Sequence, residues 1–266
     1  MPLPSDKGAK FRQLHGRCFV IANAWDAGSA RILAGLGFQA LATSSGAHAG
    51  TLGKRDGRVT RDEALAHAKA IVEATELPVS ADFENCFADE PKAAAETIRL
   101  AAGVGLAGCS IEDASRGKVY DFGHAVERVA AAVEMARTHG VVLTARAENF
   151  VRGVADLDDT IKRLLAYENA GADVLMAPGL PDLESVRKVC AALSRPFNFM
   201  AGIKGKSFSV AELQAAGVKR ISLATSLWRS AMSGLVEAAK EVKEKGAFGF
   251  IERSLPTPEI SRFMRE

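Results

Sequence analysis

Short apolar and β-branched runs alternate along this chain with longer stretches rich in Ala, Leu, Glu and Arg. The runs Cys18–Ala24, Gln39–Ser44, Pro78–Glu84, Gly108–Asp113, Val141–Ala147, Asp173–Ala177, Pro196–Ala201 and Lys219–Ala224 predict strands. A helical stretch follows each, most clearly at Thr60–Thr75 and Asp156–Ala170. In the first of these, Leu65, Ala68 and Val72 form an apolar face, and Asp62, His67 and Lys69 lie off it, as a helix lying on a sheet requires. Gly37, Gly105, Gly140, Gly171 and Gly217 each stand just before a strand, where a left-handed residue ends a helix. Pro78 and Pro196 mark the other two junctions.

Seven similar junctions imply eight βα units. Short crossovers make the strands parallel and right-handed, and eight of them close into a (β/α)8 TIM-type barrel of the α/β class. An open doubly wound sheet would carry a Gly-rich phosphate turn after its first strand. That turn reads Ala24-Trp25-Asp26-Ala27-Gly28-Ser29, without the G-x-G-x-x-G fingerprint. No linker composition divides the chain, so residues 1–245 are read as one barrel. Residues 246–266, with Pro256 and Pro258, form a tail that caps the barrel or packs on another subunit.

Composition narrows the function classes. The 34 Lys and Arg against 32 Asp and Glu lack the basic excess of a dedicated nucleic-acid binder. The segment Met1–Gly16 is polar without a signal-peptide apolar core, and nothing has the roughly 18 apolar residues of a membrane span. Cys18, Cys86, Cys109 and Cys190 show no metal-ligand spacing and read as reduced thiols of a cytoplasmic protein.

Charge concentrates at the C-terminal ends of the predicted strands, where barrels of this type gather their functional side chains. Asp82 and Glu84 alternate with Ala81 and Phe83, which places both carboxylates on one strand face. With Glu112 nearby, such acids repel unless a cation compensates, and hard oxygen ligands suit Mg2+ or Mn2+. The alternative is a structural network with Arg146 or Lys118. Arg146 and Glu148 likewise share a face, and Arg146 serves either to clamp a substrate carboxylate or to bridge Glu112 or Glu148. The Thr43–Ala47 turn offers hydroxyls and N–H groups for an oxyanion, or is an ordinary turn. Loop Ala114–His124, with Arg116, Lys118, Tyr120 and His124, suits a mobile lid or a solvated connection. His15, His67 and His139 read as exposed, and His48 lies nearer the barrel mouth without a visible partner.

The ordered set Asn23-Ala24-Trp25-Asp26, Thr43-Ser44-Ser45-Gly46, Asp82-Phe83-Glu84, Ile111-Glu112-Asp113, Ala145-Arg146-Ala147-Glu148 and Pro196-Phe197-Asn198 resembles the isocitrate lyase/phosphoenolpyruvate mutase superfamily, from about Phe11 to Lys245. The resemblance implies a barrel whose eighth helix is exchanged between subunits of a homodimer or homotetramer. It implies Mg2+ and a small 2-oxo acid or dicarboxylate, with C–C or P–C bonds made or broken through a metal-stabilised enolate. By position, Asp82 is implied as the direct metal ligand, with Glu84, Glu112 and Asp56 holding metal-bound waters. Ser45, Gly46, Ala47, Asp82, Arg146 and Asn198 are implied to contact substrate, and Arg146, Lys118 and Glu112 to form the catalytic set.

Two departures redirect the expected activity. Where the family reads D-x-D-x-G-[YF]-G, Cys86 and Ala88 replace the glycines, which narrows or re-aims the loop. The lyase loop K-[KR]-C-G-H corresponds to Ser115-Arg116-Gly117-Lys118-Val119-Tyr120, which has no cysteine. The expected reaction is therefore decarboxylation of an oxaloacetate-like acid, or cleavage of a 2-oxo or methylisocitrate-like acid without a thiol. The alternatives are phosphonopyruvate hydrolase or phosphoenolpyruvate mutase chemistry, and a barrel that binds a metabolite without turnover.

Overall fold

Eight parallel strands close into a barrel in which each is hydrogen-bonded to its sequence neighbours and the last returns to the first. The computed structural model describes residues 6–206 and 208–265. Residues 1–5, which belong to the polar N-terminal segment, lie outside the described residues. Helix α1 (Asp6–Leu14) precedes β1 (Phe19–Asn23), α2 (Ala27–Gly35), β2 (Leu41–Ala42), α3 (Ser45–Thr51), α4 (Arg61–Ala74) and β3 (Val79–Ala81). Then come α5 (Pro91–Gly103), β4 (Gly108–Glu112), a small hairpin of β5 (Ala114–Ser115) and β6 (Lys118–Val119), α6 (Phe122–His139) and β7 (Val142–Arg146). The chain continues through α7 (Leu157–Ala170), β8 (Val174–Met176), α8 (Leu183–Ala192), β9 (Phe197–Met200), α9 (Val210–Ala215) and β10 (Arg220–Ser222). It ends with α10 (Ser226–Lys245) and α11 (Thr257–Ser261). Among the described residues, no helix is long and apolar enough to cross a membrane.

The expected junctions form as read. Gly140 and Gly171 cap α6 and α7 in the left-handed region at φ 71° and 103°, and each leads into a strand within three residues. Helix starts are fixed chemically as well. Thr60 caps α4 and shares a reciprocal capping box with Glu63, whose carboxylate accepts from the Thr60 N–H at 2.8 Å.

The layer between strands and helices is apolar, running through Leu41, Ile71, Ile98, Leu143, Leu164 and Val186. A second, smaller cluster closes the N-terminal end of the barrel, where Phe11 of α1 packs with Phe19, Ile21 and Val142. His15, expected to be exposed, belongs to this plug. It is buried against Phe11 and Phe19, with its Nδ1–H donating to the Phe11 carbonyl at 2.9 Å.

Helix α10 differs from α4–α8, each of which buries an apolar face: no residue of α10 is buried. Leu235, Val236 and Val242 are exposed, as are Phe248, Ile251 and Leu255 beyond it. Further on, Phe263 returns to α2 and occupies the space a side chain at Gly35 would need.

Candidate active site

At the C-terminal end of the barrel a cavity of about 330 Å3 opens between the strand ends. Inward-facing residues two apart line it in layers: Ser80 and Asp82, Ser110 and Glu112, Thr144 and Arg146. Barrel closure thereby joins Asp82, Glu112, Arg146, Ser45, Gly46, Asp56 and Asn198 of the expected site around one cavity.

Arg146 is the electrostatic centre. Its Nη1 lies 3.1 Å from Asp82 Oδ1 and 2.9 Å from Glu112 Oε1, and Nη2 lies 2.9 Å from Glu148 Oε1. Burial opposes its charge, but Glu112, Glu148 and Asp82 hold its pKa above the ordinary arginine range. The internal bridge left open by the sequence is therefore formed, with both Glu112 and Glu148. Arg152, which sequence reasoning missed, also lines the cavity and reaches Glu112 and Glu148, each at 3.3 Å. Its only local signal is the four-residue spacing from Glu148. Glu112, almost fully buried, has its pKa pushed up by desolvation despite these two arginines.

Asp82 is held on both oxygens. Oδ1 accepts from Ser110 Oγ at 3.3 Å as well as from Arg146, and Oδ2 accepts from the Ser45 N–H at 3.2 Å. Asp113, next to Glu112, points instead toward α7. There it accepts from Tyr167 and Arg163, while its other oxygen takes the Glu148 N–H at 2.8 Å and fixes that strand end.

The expected shared face of Asp82 and Glu84 is not formed as a strand. β3 stops at Ala81, and Glu84 has φ 50°, so the alternation breaks. Glu84 lines a small neighbouring pocket with Asp82, Ser45, His48 and His67, and its Oε1 is buried without a partner among the described residues. Desolvation, then the charges of Asp82 and Asp56, push its carboxyl up to about 7. His67, expected to be exposed, stacks on His48 with ring centroids 3.8 Å apart and donates to the Trp25 carbonyl at 2.9 Å. Burial is the main reason both histidines have lowered pKa values.

Cys86 and Phe87 both adopt φ 58°, so the loop takes left-handed backbone at one of the two positions where the resemblance expects glycine. Left-handed non-glycine residues cost roughly 1–2 kcal/mol each, so other contacts must hold the loop. Arg128, fully buried on α6, supplies them by donating to the carbonyls of Asn85 at 2.6 Å, Asp89 at 2.7 Å and Ala88.

Two expected residues take other places. Lys118 is exposed on the β5–β6 hairpin and does not line the cavity. Ala47 is buried in α3, where its N–H is taken by the Ser44 cap at 3.4 Å. In the 114–124 segment, read as a lid or a solvated connection, residues 114–119 form a hairpin turning at Arg116 and Gly117, residues 122–124 open α6, and the Tyr120 hydroxyl between them meets Asn85 and Asp89. Gly46 remains open to the cavity, and a side chain there would meet Asp56 Oδ2 at 3.1 Å and Thr225 at 3.0 Å.

Among the described residues, no three acidic, His or Cys side chains converge into a direct metal cage. The donor set still fits a hard cation that keeps most of its waters. The charges of Asp82 and Asp56 raise the cost of ionising Glu84, whose Oε1 is buried without a partner among the described residues.

A closed (β/α)8 barrel with carboxylates and arginines facing across a strand-end cavity defines a metabolite-transforming barrel enzyme. Residues 11–243 match the family model described as phosphoenolpyruvate phosphomutase, and the chain belongs to that family. It is an enzyme of the PEP mutase/isocitrate lyase superfamily. A solved Burkholderia cenocepacia J2315 structure, described no further than as a lyase/mutase, is 46% identical with a TM-score of 0.95, covering 99% of this chain and 97% of that one. The 2,3-dimethylmalate lyase of Eubacterium barkeri is 30% identical over 79% of this chain and 76% of its own. A crystal structure of a 2,3-dimethylmalate lyase superposes with a TM-score of 0.86 at 25% identity, covering 97% and 94% of the two chains. An uncharacterized Mycobacterium tuberculosis protein is 32% identical over 94% of both chains. An oxaloacetate decarboxylase of Pseudomonas entomophila is 29% identical over 70% of this chain and 67% of its own.

Proposed function

We propose that this protein is a Mg2+-dependent carbon–carbon lyase or decarboxylase of a small 2-oxo acid or 2-hydroxy-acid-derived carboxylate. The observation that carries the reading is the two-signed cavity, with Asp56, Asp82 and Glu112 facing Arg146 and Arg152. Asp82 would hold the cation, and Asp56, Glu84 and Glu112 its water shell. When bound, the cation withdraws electron density from the 2-oxo and carboxylate oxygens. The Ser45 hydroxyl and the Gly46 N–H orient the substrate, and Arg146 and Arg152 hold the carboxylates of Asp82, Glu112 and Glu148 in place. A single contact of this electrophilic kind is worth roughly 3–4 kcal/mol in transition-state stabilisation.

None of the four cysteines lines the cavity, which favours decarboxylation, or cleavage without a thiol acid, over a thiol-assisted lyase step. The similarity to an oxaloacetate decarboxylase and to 2,3-dimethylmalate lyases supports the same substrate range. The test is purified protein with Mg2+ offered oxaloacetate and substituted malates. Pyruvate or glyoxylate is released by wild type and not by Asp82→Ala; equal rates from both would overturn the reading. The match to the phosphomutase model supports a second reading, P–C chemistry, which predicts loss of the phosphonate 31P signal from phosphonopyruvate.

The same reading makes residues 1–245 the catalytic barrel of a cytoplasmic homo-oligomer, with residues 246–266 as an extension. The apolar positions along α10 support a partner subunit covering that helix.

A further inference from the structure

Beneath the described site the cavity continues to a cation that has no counter-charge among the described residues. Arg220, the first residue of β10, is 5% exposed and lines the cavity floor. Its Nε donates to Asn198 Oδ1 at 2.7 Å, Nη2 to Thr144 Oγ1 at 2.8 Å, and Nη1 approaches His15 Nε2 at 3.3 Å. His15 donates from Nδ1 to Phe11, so Nε2 faces Arg220 as a neutral acceptor. No carboxylate among the described residues pairs with Arg220. Asp82, Glu112 and Glu148 are engaged by Arg146 and Arg152, and burial alone draws the Arg220 pKa down to about 9.

The depth of this group follows from strand geometry. Thr144 and Arg146 both point inward on β7, two residues or about 6.6 Å apart. Because Arg220 bonds to Thr144, it sits one side-chain layer under Arg146. The wall is mixed: Asn23, Ser80, Ser110 and Ser222 offer polar groups beside the apolar Ile21, Ala42, Met176 and Met200. Burying a cation without an acid is unfavourable, and an apolar residue of equal volume would avoid that cost. The three contacts leave part of the guanidinium donor set unused.

We propose that Arg220, with Asn198 and Thr144, forms a second anion subsite that takes the distal carboxylate of the substrate. The inference rests on the proposed function and narrows it. The head of the molecule is held at the Asp82–Ser45 level and its far carboxylate one layer below, so the enzyme takes dicarboxylates in preference to monocarboxylates. Asn198 supports the subsite from the side. Its carbonyl oxygen is committed to Arg220, and its amide donates to Ser222 Oγ at 3.0 Å.

The experiment is calorimetric binding of oxalate and of each malate enantiomer, in Mg2+, to wild type, Arg220→Met and Arg220→Lys. Oxalate occupies only the head position, and malate spans both. The expected result for Arg220→Met is a loss of malate affinity of at least tenfold, oxalate affinity within twofold, and a melting temperature equal to or above wild type. Parallel changes for the two ligands, or none, overturn the subsite. If Arg220→Met does not fold, Arg220→Lys decides. Its point charge cannot serve Asn198, Thr144 and a carboxylate together, so malate must weaken several-fold more than oxalate, and equal weakening overturns the proposal. If wild type does not bind oxalate, the metal–oxo-acid reading fails by itself. Malate binding that still depends on Arg220 would then uphold the subsite, and absence of malate binding would overturn both.

Discussion

Arg146 Nη1 stands 3.1 Å from Asp82 Oδ1, so the carboxylate offered to a cation is already oriented by a guanidinium. Asp82→Asn keeps the shape and removes the charge. The expected outcome is a fall in kcat/KM of roughly 10²–10³ by analogy with loss of an electrophilic contact. Arg146 retains Glu112 and Glu148, so the melting temperature changes by only a few degrees. Steady-state kinetics beside a thermal melt check this, and full activity in Asp82→Asn would remove Asp82 from the site.

Arg128 holds the loop that carries Glu84 and Cys86. In Arg128→Met the carbonyls of Asn85, Ala88 and Asp89 lose their buried donor, for a cost of about 2–4 kcal/mol. Urea unfolding measures that loss. With the loop released, the Mg2+ concentration needed for half-maximal activity rises. An unchanged metal requirement would mean that the loop takes no part in the cation site.

Burial, reinforced by Arg220, holds His15 down to about 3 from 6.5. A depressed histidine binds fewer protons in the folded than in the unfolded state. Its stability contribution is complete above about 6.5 and is lost as pH falls from there toward 3. Up to roughly 4–5 kcal/mol is at stake over that window. Denaturation midpoints across the range should flatten in His15→Gln relative to wild type. Parallel curves would place the acid sensitivity elsewhere.

Burial pushes the thiols of Cys86 and Cys190 up to about 12 and raises those of Cys18 and Cys109 as well. Little reactive thiolate exists at pH 8. Iodoacetamide on the native protein should leave activity within twofold of the control, with mass spectrometry showing little alkylation. Rapid inactivation would show that a cysteine works in catalysis despite lying off the cavity.

Helix α10 exposes Leu235 at 61% and Val236 at 51%. Covering such positions is worth roughly 1.5–3 kcal/mol per side chain. Replacing both by Asp is expected to shift sedimentation from an oligomer to a monomer and to lower the melting temperature. An unchanged sedimentation coefficient would show that α10 does not carry the subunit contact.

The strand-end carboxylates were legible from sequence because βα units have local signatures, such as the glycine caps at Gly140 and Gly171. Glu84 was placed on the wrong geometry because a period of two holds only while the backbone stays extended, and Glu84 lies at φ 50°. His15 and His67 sit at positions that read as helix surface, yet one plugs the barrel and the other stacks on His48. Lys118 stood at a plausible sequence position, but the hairpin carries it away from the cavity.

The order of the eight βα units, their parallel closure and the identity of the strand-end acids are properties of local pattern, which residues within one or two turns set among themselves. Which guanidinium meets which carboxylate is not. Asp82 and Arg146 are 64 residues apart, and Thr144 and Arg220 are 76 apart. Only barrel closure brings such pairs together. It set Arg152 against Glu112, 40 residues away, and it left Arg220 in the floor with no acid of its own among the described residues.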